Sequence, residues 1–295
     1  MKNFKKDNVI YYFSPDNLPK YFIEDGEEFW VETEDCYSGQ IKTINDLRPN
    51  INISIMDASV GPIAINGAEV GDSLCVQILD IEVVSQGVMV TSPGLGILGS
   101  MINEATTRII KIDNGYANFF DKFKIPINPM IGVLGVATEK DKIHCATPGT
   151  HGGNMDTKEI KVDSKVYLPV FVKGANLAIG DLHAVMGDGE LSGTGVEIAG
   201  KVHLKVNVIK NMKLNRPRIE REEGIYMISS AEDFEEAIKN AVYDGVEYLK
   251  NEFNLDFKDA YRLVSAACDI RISQVVNPLV TIKLFVPNWI KNTII

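Results

Sequence analysis

The sequence has few histidines and cysteines and no excess of basic residues. Its 295 residues include four histidines, four cysteines, 30 basic and 40 acidic side chains, for a formal net charge of -10. Such a chain lacks the basic face that nucleic-acid binding requires, and its acidic surplus disfavours anionic membrane surfaces. No apolar stretch approaches the roughly 18 residues that span a bilayer, and no apolar core of a signal peptide follows the N-terminal lysines. The sequence therefore predicts a globular cytoplasmic protein that binds neither nucleic acid nor membranes.

Several short signatures of known chemistry are missing as well. The cysteines have no C-x-x-C spacing, which excludes a zinc knuckle or redox pair and leaves them as small buried residues. There is no G-x-S-x-G, no P-loop and no H-E-x-x-H. A G-x-G-x-x-G pattern occurs at residues 94–99, but without the strand and helix alternation of a dinucleotide fold. It indicates a loop beside a site.

The pattern of apolar residues predicts a mainly β protein. Residues 73–84 and 201–209 have the composition and alternation of strands, and turn signals recur about every ten residues, as in a β-sandwich or barrel. After Ser229 the period becomes helical, with one helix from Phe234 past Leu249, capped by Ser230, and a second over residues 257–273. Residues 279–286 indicate a closing strand. We expect a β-rich body over residues 1–228 and an α+β elaboration with two C-terminal helices over 229–295, packed on it as one structural unit.

Residues 144–197 concentrate the chemistry of the chain. They contain three of the four histidines, seven acidic residues and frequent glycines. Asp181 and His183 share one face of an extended segment, and Asp188 and Glu190 would do the same across a turn. Imidazole and carboxylate groups meeting there would suit zinc or another divalent ion with a position left for water. The candidate metal ligands are His151, Asp156, Asp181 and His183.

Three further residues of this stretch are candidates for catalysis. An uncoordinated carboxylate could take a proton and return it to a leaving group, and Glu190 is the first candidate, Asp188 the second. Asn154, in a glycine-flanked turn, could donate a hydrogen bond to a carbonyl oxygen or its oxyanion.

Two alternatives involve no catalysis. The segment Gly187-Asp188-Gly189-Glu190 alone has the composition of a hairpin turn. Glycine-rich acidic turns could also hold a structural calcium ion in a β-sandwich protein that binds a small ligand without turning it over.

The residues of several blocks resemble those of the acetamidase/formamidase family, over roughly residues 25 to 220. The blocks are Asp35-Cys-Tyr-Ser-Gly-Gln-Ile41, Gly61-Pro-Ile through Gly67-Ala-Glu and Gly71-Asp, Pro93-Gly-Leu-Gly96, Pro129-Met-Ile-Gly-Val-Leu-Gly-Val136, Pro148-Gly-x-His-Gly-Gly-Asn-Met-Asp156, Tyr167-Leu-Pro-Val170 and Gly180-Asp-Leu-His-Ala to Gly187-Asp-Gly-Glu190.

The resemblance implies hydrolysis of a short aliphatic amide, such as formamide or acetamide, to its carboxylate and ammonia. It further implies a body like a β-sandwich with an added α+β part, dependence on a divalent metal, and a homo-oligomer, dimeric or higher. The family's acidic and histidine positions fall on the residues already singled out, with Glu197 as a further member: His151, Asp156, Asp181, His183, Asp188 and Glu190.

Two departures from the family pattern concern the substrate. Met186 stands where the family usually has glutamine, and Asp57-Ala-Ser-Val-Gly-Pro62 replaces a usual Asn-Pro-x-Thr-Gly-Pro. A larger amide or a lactam is therefore an alternative substrate.

Overall fold

The structure is a computed structural model, and it describes residues 1–293. The helices are α1 (Phe234–Phe253) and α2 (Phe257–Ala267), and short 3-10 helices occupy Arg48–Asn50, Ile53–Ile55, Gly99–Met101 and Asn288–Thr293. The strands, in chain order, are β1 (Lys2–Phe4), β2 (Val9–Ile10), β3 (Tyr12–Phe13), β4 (Tyr21–Ile23), β5 (Glu28–Thr33), β6 (Ser59–Ile65), β7 (Ser73–Val83), β8 (Gln86–Thr91), β9 (Thr106–Asp113), β10 (Tyr116–Phe119), β11 (Phe123–Pro126), β12 (Met130–Gly135), β13 (Ile143–His144), β14 (Lys165–Pro169), β15 (Leu177–His183), β16 (Glu197–Ile198), β17 (Gly200–Ile209), β18 (Arg218–Arg221), β19 (Gly224–Ala231), β20 (Asp269–Gln274) and β21 (Val280–Pro287).

Two large sheets form the body. Within residues 1–293 the first sheet has the order β1-β5-β17-β7-β14-β18-β19-β21-β20. The second has the order β11-β10-β9-β8-β16-β15-β6-β2, with β12 beside β15 and β4 beside β6. Apolar residues of both sheets, such as Val76 and Val202 from the first and Ile63 and Ile179 from the second, share one core. The expected mainly β, sandwich-like body is confirmed.

Strand β15 is buried along its whole length. Every residue from Leu177 to His183 is buried, whereas β17 alternates buried and half-buried residues from Val202 onward. The difference arises because β17 exposes one face, while β15 pairs with β6, β12 and β16 inside the second sheet. Polar side chains of β15 are therefore withdrawn from water.

The two C-terminal helices are present, with different ends from those expected. Asp233 caps α1 by accepting a hydrogen bond from the Glu236 amide, and Ser230 instead contacts Thr281, so the assignment of Ser230 as the cap was wrong. Helix α2 ends at Ala267, and the last part of the expected second helix forms β20. Alternating β-branched residues pair β20 with β21, and this strand pairing replaces the helix.

The C-terminal part continues the first sheet. Residues 228 and 229, where the sequence places a boundary, lie inside β19, and β19 pairs with β18 on one side and β21 on the other. Helix α1 packs on β19, β21 and α2 around a second apolar cluster that includes Val246, Leu249 and Val264. The helices thus cover one end of a sheet that runs through the whole chain.

Neither α1 nor α2 combines the length and the apolar character needed to cross a bilayer, and no other helix in residues 1–293 does so.

Candidate active site

The site lies at the end of the buried strand β15, which carries Asp181 and His183. Asp181 has a positive φ of 54°, which interrupts the ladder between β15 and β12 opposite Gly132. Glu197 reaches the same point because its strand, β16, pairs it directly with His183. Asp156 follows the turn at residues 152–154 and also has a positive φ, of 39°. Two strands and one turn thus bring four polar side chains together inside the protein.

Three carboxylates surround one imidazole nitrogen. His183 Nε2 lies 3.1 Å from Glu197 Oε2, 3.3 Å from Asp181 Oδ1 and 3.8 Å from Asp156 Oδ1. These distances are short enough for ion pairs, but none of the contacts has the angles of a hydrogen bond, and all four atoms are buried without a hydrogen-bond partner. A ring N–H binds an acceptor only near its own direction, so short distances alone do not satisfy these atoms. One imidazole nitrogen and three carboxylate oxygens are therefore buried close together without hydrogen bonds.

The opposite oxygens of two of these carboxylates are held in place. Glu197 Oε1 accepts hydrogen bonds from the Gly195 amide at 2.8 Å and the Thr194 hydroxyl at 2.9 Å. Asp156 Oδ2 accepts one from Asn277 Nδ2 at 2.7 Å. One oxygen of each carboxylate is thus fixed while the other faces His183, which is the usual arrangement of metal ligands supported by outer hydrogen bonds.

Burial shifts the proton affinities of the carboxylates. Burial, followed by the charges of neighbouring carboxylates, raises the pKa of Glu190 and of Asp57 well above the ordinary range. Burial also raises the pKa of Asp156 and of Asp181, each to about 6. An unpaired buried carboxylate binds a proton in this way, and a cation among these groups would favour their ionised forms instead.

The carboxylates around His183 outweigh the effect of burial on its pKa. Burial alone would lower the pKa of His183, but Glu197 and Asp181 raise it well above its usual range. Burial opposes ionisation of Glu197 too, and His183 outweighs it, so that the pKa of Glu197 is lowered.

The donor atoms fit a divalent cation. In one group Asp156, His183 and Glu190 each offer an atom within 4.8 Å of the others, and in a second group Cys36, Asp181 and Glu197 do so. Nitrogen and carboxylate oxygen together suit zinc, whereas calcium takes oxygen ligands alone. The unpartnered buried atoms and this mixed set of ligand atoms would suit zinc, and a bound metal stays a prediction.

A cavity of about 190 Å³ opens beside these groups. Its buried, inner lining includes Glu190, Asp181, Glu197, Asn154, Asp57 and Tyr37. The lining residues that are partly exposed to solvent include Arg48, Met56, Leu95, Val276, Asn277 and Pro278. A buried reactive cluster thus has access to a small pocket.

The same residues fall within a match to known proteins. The model of the acetamidase/formamidase family matches residues 2–144 and 138–293. The chain belongs to this family. Among solved structures, an acetamidase from Bacillus halodurans shares 39% sequence identity at a TM-score of 0.96, over 99% of this chain and 100% of that one. A predicted acetamidase/formamidase from Thermoanaerobacter tengcongensis shares 43% identity at a TM-score of 0.96, over 99% and 97%.

Curated relatives are more distant and longer. A formamidase from Methylophilus methylotrophus is 27% identical over 271 residues, which cover 71% of this chain and 66% of the relative. The chain spans 61–66% of the length of the curated relatives that it matches. Family membership covers nearly all of this chain, and it leaves the activity to be argued from the site.

In this family member, three of the predicted metal ligands meet and one does not. Asp156, Asp181 and His183 converge, although Asp181 does so through a left-handed backbone and not through regular alternation. His151 is buried against Phe13, outside both groups of residues 1–293 whose atoms could hold a metal ion. Burial alone lowers its pKa to about 4, so no carboxylate is close enough to stabilise its charged form.

Of the predicted catalytic residues, Glu190 and Asn154 line the pocket, and Asp188 points away. Asp188 accepts a hydrogen bond from Lys283 at 2.6 Å and forms an ion pair with Lys158 at 2.8 Å. The expectation that Asp188 and Glu190 face the same way was wrong, because Gly189 and Glu190 both have positive φ and turn the chain between them. The loop at residues 94–99 does lie beside the site, since Leu95 lines the pocket.

Sequence reasoning assigned no role to four residues of the site. Cys36 and Asp57 lie in segments quoted for the family resemblance, so their proximity could have been suspected from those blocks. Asn277 and Arg48 stand in loops with no recognisable motif, and only the fold brings them to the pocket.

Proposed function

We propose that this chain hydrolyses the C–N bond of a short aliphatic amide, giving a carboxylate and ammonia, with a divalent cation, most simply zinc, held by Asp156, Asp181 and His183. The observation that carries the proposal is the convergence of unpartnered buried oxygens on His183 Nε2 at 3.1–3.8 Å. Family relatives that bear the names formamidase and acetamidase support the reaction class.

Each residue has a definite task in this reaction. A cation in the site would polarise the amide carbonyl and lower the pKa of a bound water to about 7. Glu197, whose Oε1 is fixed by two hydrogen bonds, keeps its Oε2 at 3.1 Å from His183 Nε2 and adds negative charge beside the site of the cation. Glu190 lies at the inner end of the pocket and can move a proton from the attacking water to the leaving nitrogen. Asn154 can donate a hydrogen bond to the carbonyl oxygen.

The size of the pocket favours a short substrate. Its volume of about 190 Å³ lies below the range of about 300–1,000 Å³ typical of sites for drug-sized ligands. An amide with a few carbon atoms fits this space, and the polar inner end would receive its amide group.

Metal analysis with an amide assay tests the proposal. We expect about one divalent ion per chain, ammonia release from short amides, loss of turnover on chelation and recovery with zinc. His183→Ala should lose the ion, because it removes the nitrogen on which the carboxylates converge. A protein that keeps full turnover after complete removal of metal would refute the metal step, and ligand binding without turnover would favour the binding-protein alternative.

Substitution of Glu190 tests the proton transfer. Glu190→Gln should keep the metal and lower kcat by about 100-fold or more, because an amide cannot accept and return the proton. Loss of the metal in this variant would make Glu190 a ligand, and unchanged turnover would remove it from the mechanism.

The homo-oligomer and the cytoplasmic location stay predictions, and light scattering of the purified chain would measure the first.

A further inference from the structure

Arg48 is a guanidinium without a protein partner in the wall of the catalytic pocket. It is half-buried and lines the same cavity as Glu190 and Asn154. In the described residues no hydrogen bond or ion pair involves its side chain, although the group carries five N–H donors. The chain has 40 acidic residues against 30 basic ones, so carboxylates are plentiful. Most other arginines have a partner: Arg216, Arg221, Arg262 and Arg271 each pair with an acidic side chain.

The segment that carries Arg48 is fixed at both ends. Before it, the Asp46 carbonyl accepts a hydrogen bond from the Thr107 hydroxyl at 2.6 Å. After it, the Asn52 amide donates to Gln40 Oε1 at 2.9 Å. Arg48 itself begins a 3-10 helix with proline next in the chain, which restricts the backbone further. The guanidinium is therefore presented to the pocket from a constrained backbone, which lowers the entropy cost of binding a ligand.

Tyr37 places the positive charge beside the cavity wall. Burial raises the pKa of the Tyr37 phenol well above its usual range, and the charge of Arg48 acts in the opposite direction. Tyr37 and Arg48 both line the cavity. The positive charge of Arg48 therefore lies beside the same cavity as the carboxylates of the site.

Several other residues that line the pocket are apolar. They include Met56, Leu95, Val276 and Pro278. Such contacts suit a short methylene chain, which gains about 0.8 kcal/mol for each CH₂ removed from water. The pocket thus offers polar groups for an amide, apolar contacts for a short chain and one unpaired cation.

Resting on the proposed amide hydrolysis, we propose that the preferred substrate is a short amide that carries a carboxylate, and that Arg48 binds this carboxylate. Arg48 is then a specificity-determining residue, since a guanidinium binds a carboxylate through two parallel hydrogen bonds. A neutral amide of the same length would leave the guanidinium without a partner. Such a preference would distinguish this chain from an enzyme whose natural substrate is formamide or acetamide.

Matched pairs of substrates test the proposal. Malonamate, succinamate and glutaramate are compared with propionamide, butyramide and pentanamide, in which a methyl group replaces the carboxylate. For at least one length, we expect kcat/KM of the wild-type protein to be tenfold or more higher for the carboxylated amide. Equal or higher values for the neutral amide at every length would overturn the proposal, while the amide hydrolysis itself would stand.

Two variants assign the preference to Arg48. In Arg48→Gln the ratio of kcat/KM between the carboxylated and the neutral amide should fall at least tenfold, mainly through KM, and Arg48→Lys should restore part of it. Arg108→Gln is the matched control, because the Arg108 side chain also forms no hydrogen bond or ion pair within the described residues but lies on the exposed surface outside this cavity. An unchanged ratio in a folded, metal-loaded Arg48→Gln protein would overturn the assignment.

Binding of succinate keeps the test independent of turnover. If no amide of the panel is hydrolysed, calorimetric titration of wild-type protein with succinate still measures the anion site. Binding that weakens tenfold or more in Arg48→Gln, and not in Arg108→Gln, supports Arg48 as the anchor even if the proposed hydrolysis fails. Absence of succinate binding to the wild type would overturn the proposal.

Discussion

At the scale of single residues, the geometry of the site depends on a glycine that carries no chemistry. Gly132 lies in β12 directly beneath the carboxylates of Asp181 and Asp156. A Cβ atom at this position would lie 2.4 Å from Asp181 Oδ2 and 2.5 Å from Asp156 Oδ1. Both distances are far inside van der Waals contact, so any side chain at residue 132 must displace two of the proposed ligands.

We therefore expect Gly132→Ala to weaken metal binding by about tenfold or more, the size of effect seen when supporting groups around a metal are altered. Turnover should fall with the metal content. Elemental analysis and an ammonia assay measure both. Gly187→Ala is the control, because a Cβ at Gly187 meets nothing within 4 Å, and this variant should retain metal and activity. Full metal content in Gly132→Ala would show that the carboxylates are not positioned as described.

The sequence predicted most of the acidic centre and little of its surroundings. Asp181 and His183 are close in the chain, and their residue types indicate the chemistry directly, so their convergence could be predicted. His151 and Asp188 have the same residue types, but their direction is set by local backbone turns that composition does not reveal. Arg48 lies in the segment between β5 and β6, and no local sequence pattern indicates that this segment reaches the pocket.

At the scale of elements, the loop between β20 and β21 is the part of the C-terminal region that reaches the site. Asn277 in this loop donates hydrogen bonds to Asp156 Oδ2 at 2.7 Å and to the Asn154 carbonyl at 3.0 Å. Gln274 holds the loop by accepting hydrogen bonds from the Val276 and Asn277 amides. The expectation of a helix through residue 273 obscured this role, although Ile270 and Ile272 alternate as strand residues do.

Removal of the Asn277 side chain should impair the site without unfolding the protein. Asn277→Ala leaves a buried carboxylate oxygen without its donor, a loss of about 1–3 kcal/mol, equivalent to roughly 5- to 150-fold in kcat/KM for the amide. Asn66→Ala is a suitable control, since Asn66 also donates through Nδ2, at 2.7 Å, but to exposed Glu24. If both variants retained wild-type kinetics, the hydrogen bonds of Asn277 would make no contribution to the site.

At the scale of the whole molecule, Lys283 joins the C-terminal region to the central stretch. This lysine lies in β21, is fully buried, and contacts Glu159 and Asp188, each at 2.6 Å. Glu159 is also buried, and Asp188 precedes Glu190 by two residues. Three distant parts of the chain therefore meet in one ion-pair network, and the position of the Glu190 loop is coupled to the fold of the C-terminal sheet.

Substitution of Lys283 should consequently destabilise the entire chain. Lys283→Met removes the partner of a buried carboxylate, which costs about 3–5 kcal/mol, whereas Lys165→Met, whose pair with Glu220 is largely exposed, should cost about 1 kcal/mol or less. Thermal unfolding measures the difference, with a midpoint lowered by about 5 °C or more for Lys283→Met alone. Adding Glu159→Gln to Lys283→Met should recover part of the loss, because the buried side chain is then neutral. Equal midpoints for the two lysine variants would mean that the C-terminal sheet and the Glu190 loop are held together by apolar packing, and that the buried ion pairs contribute no net stability.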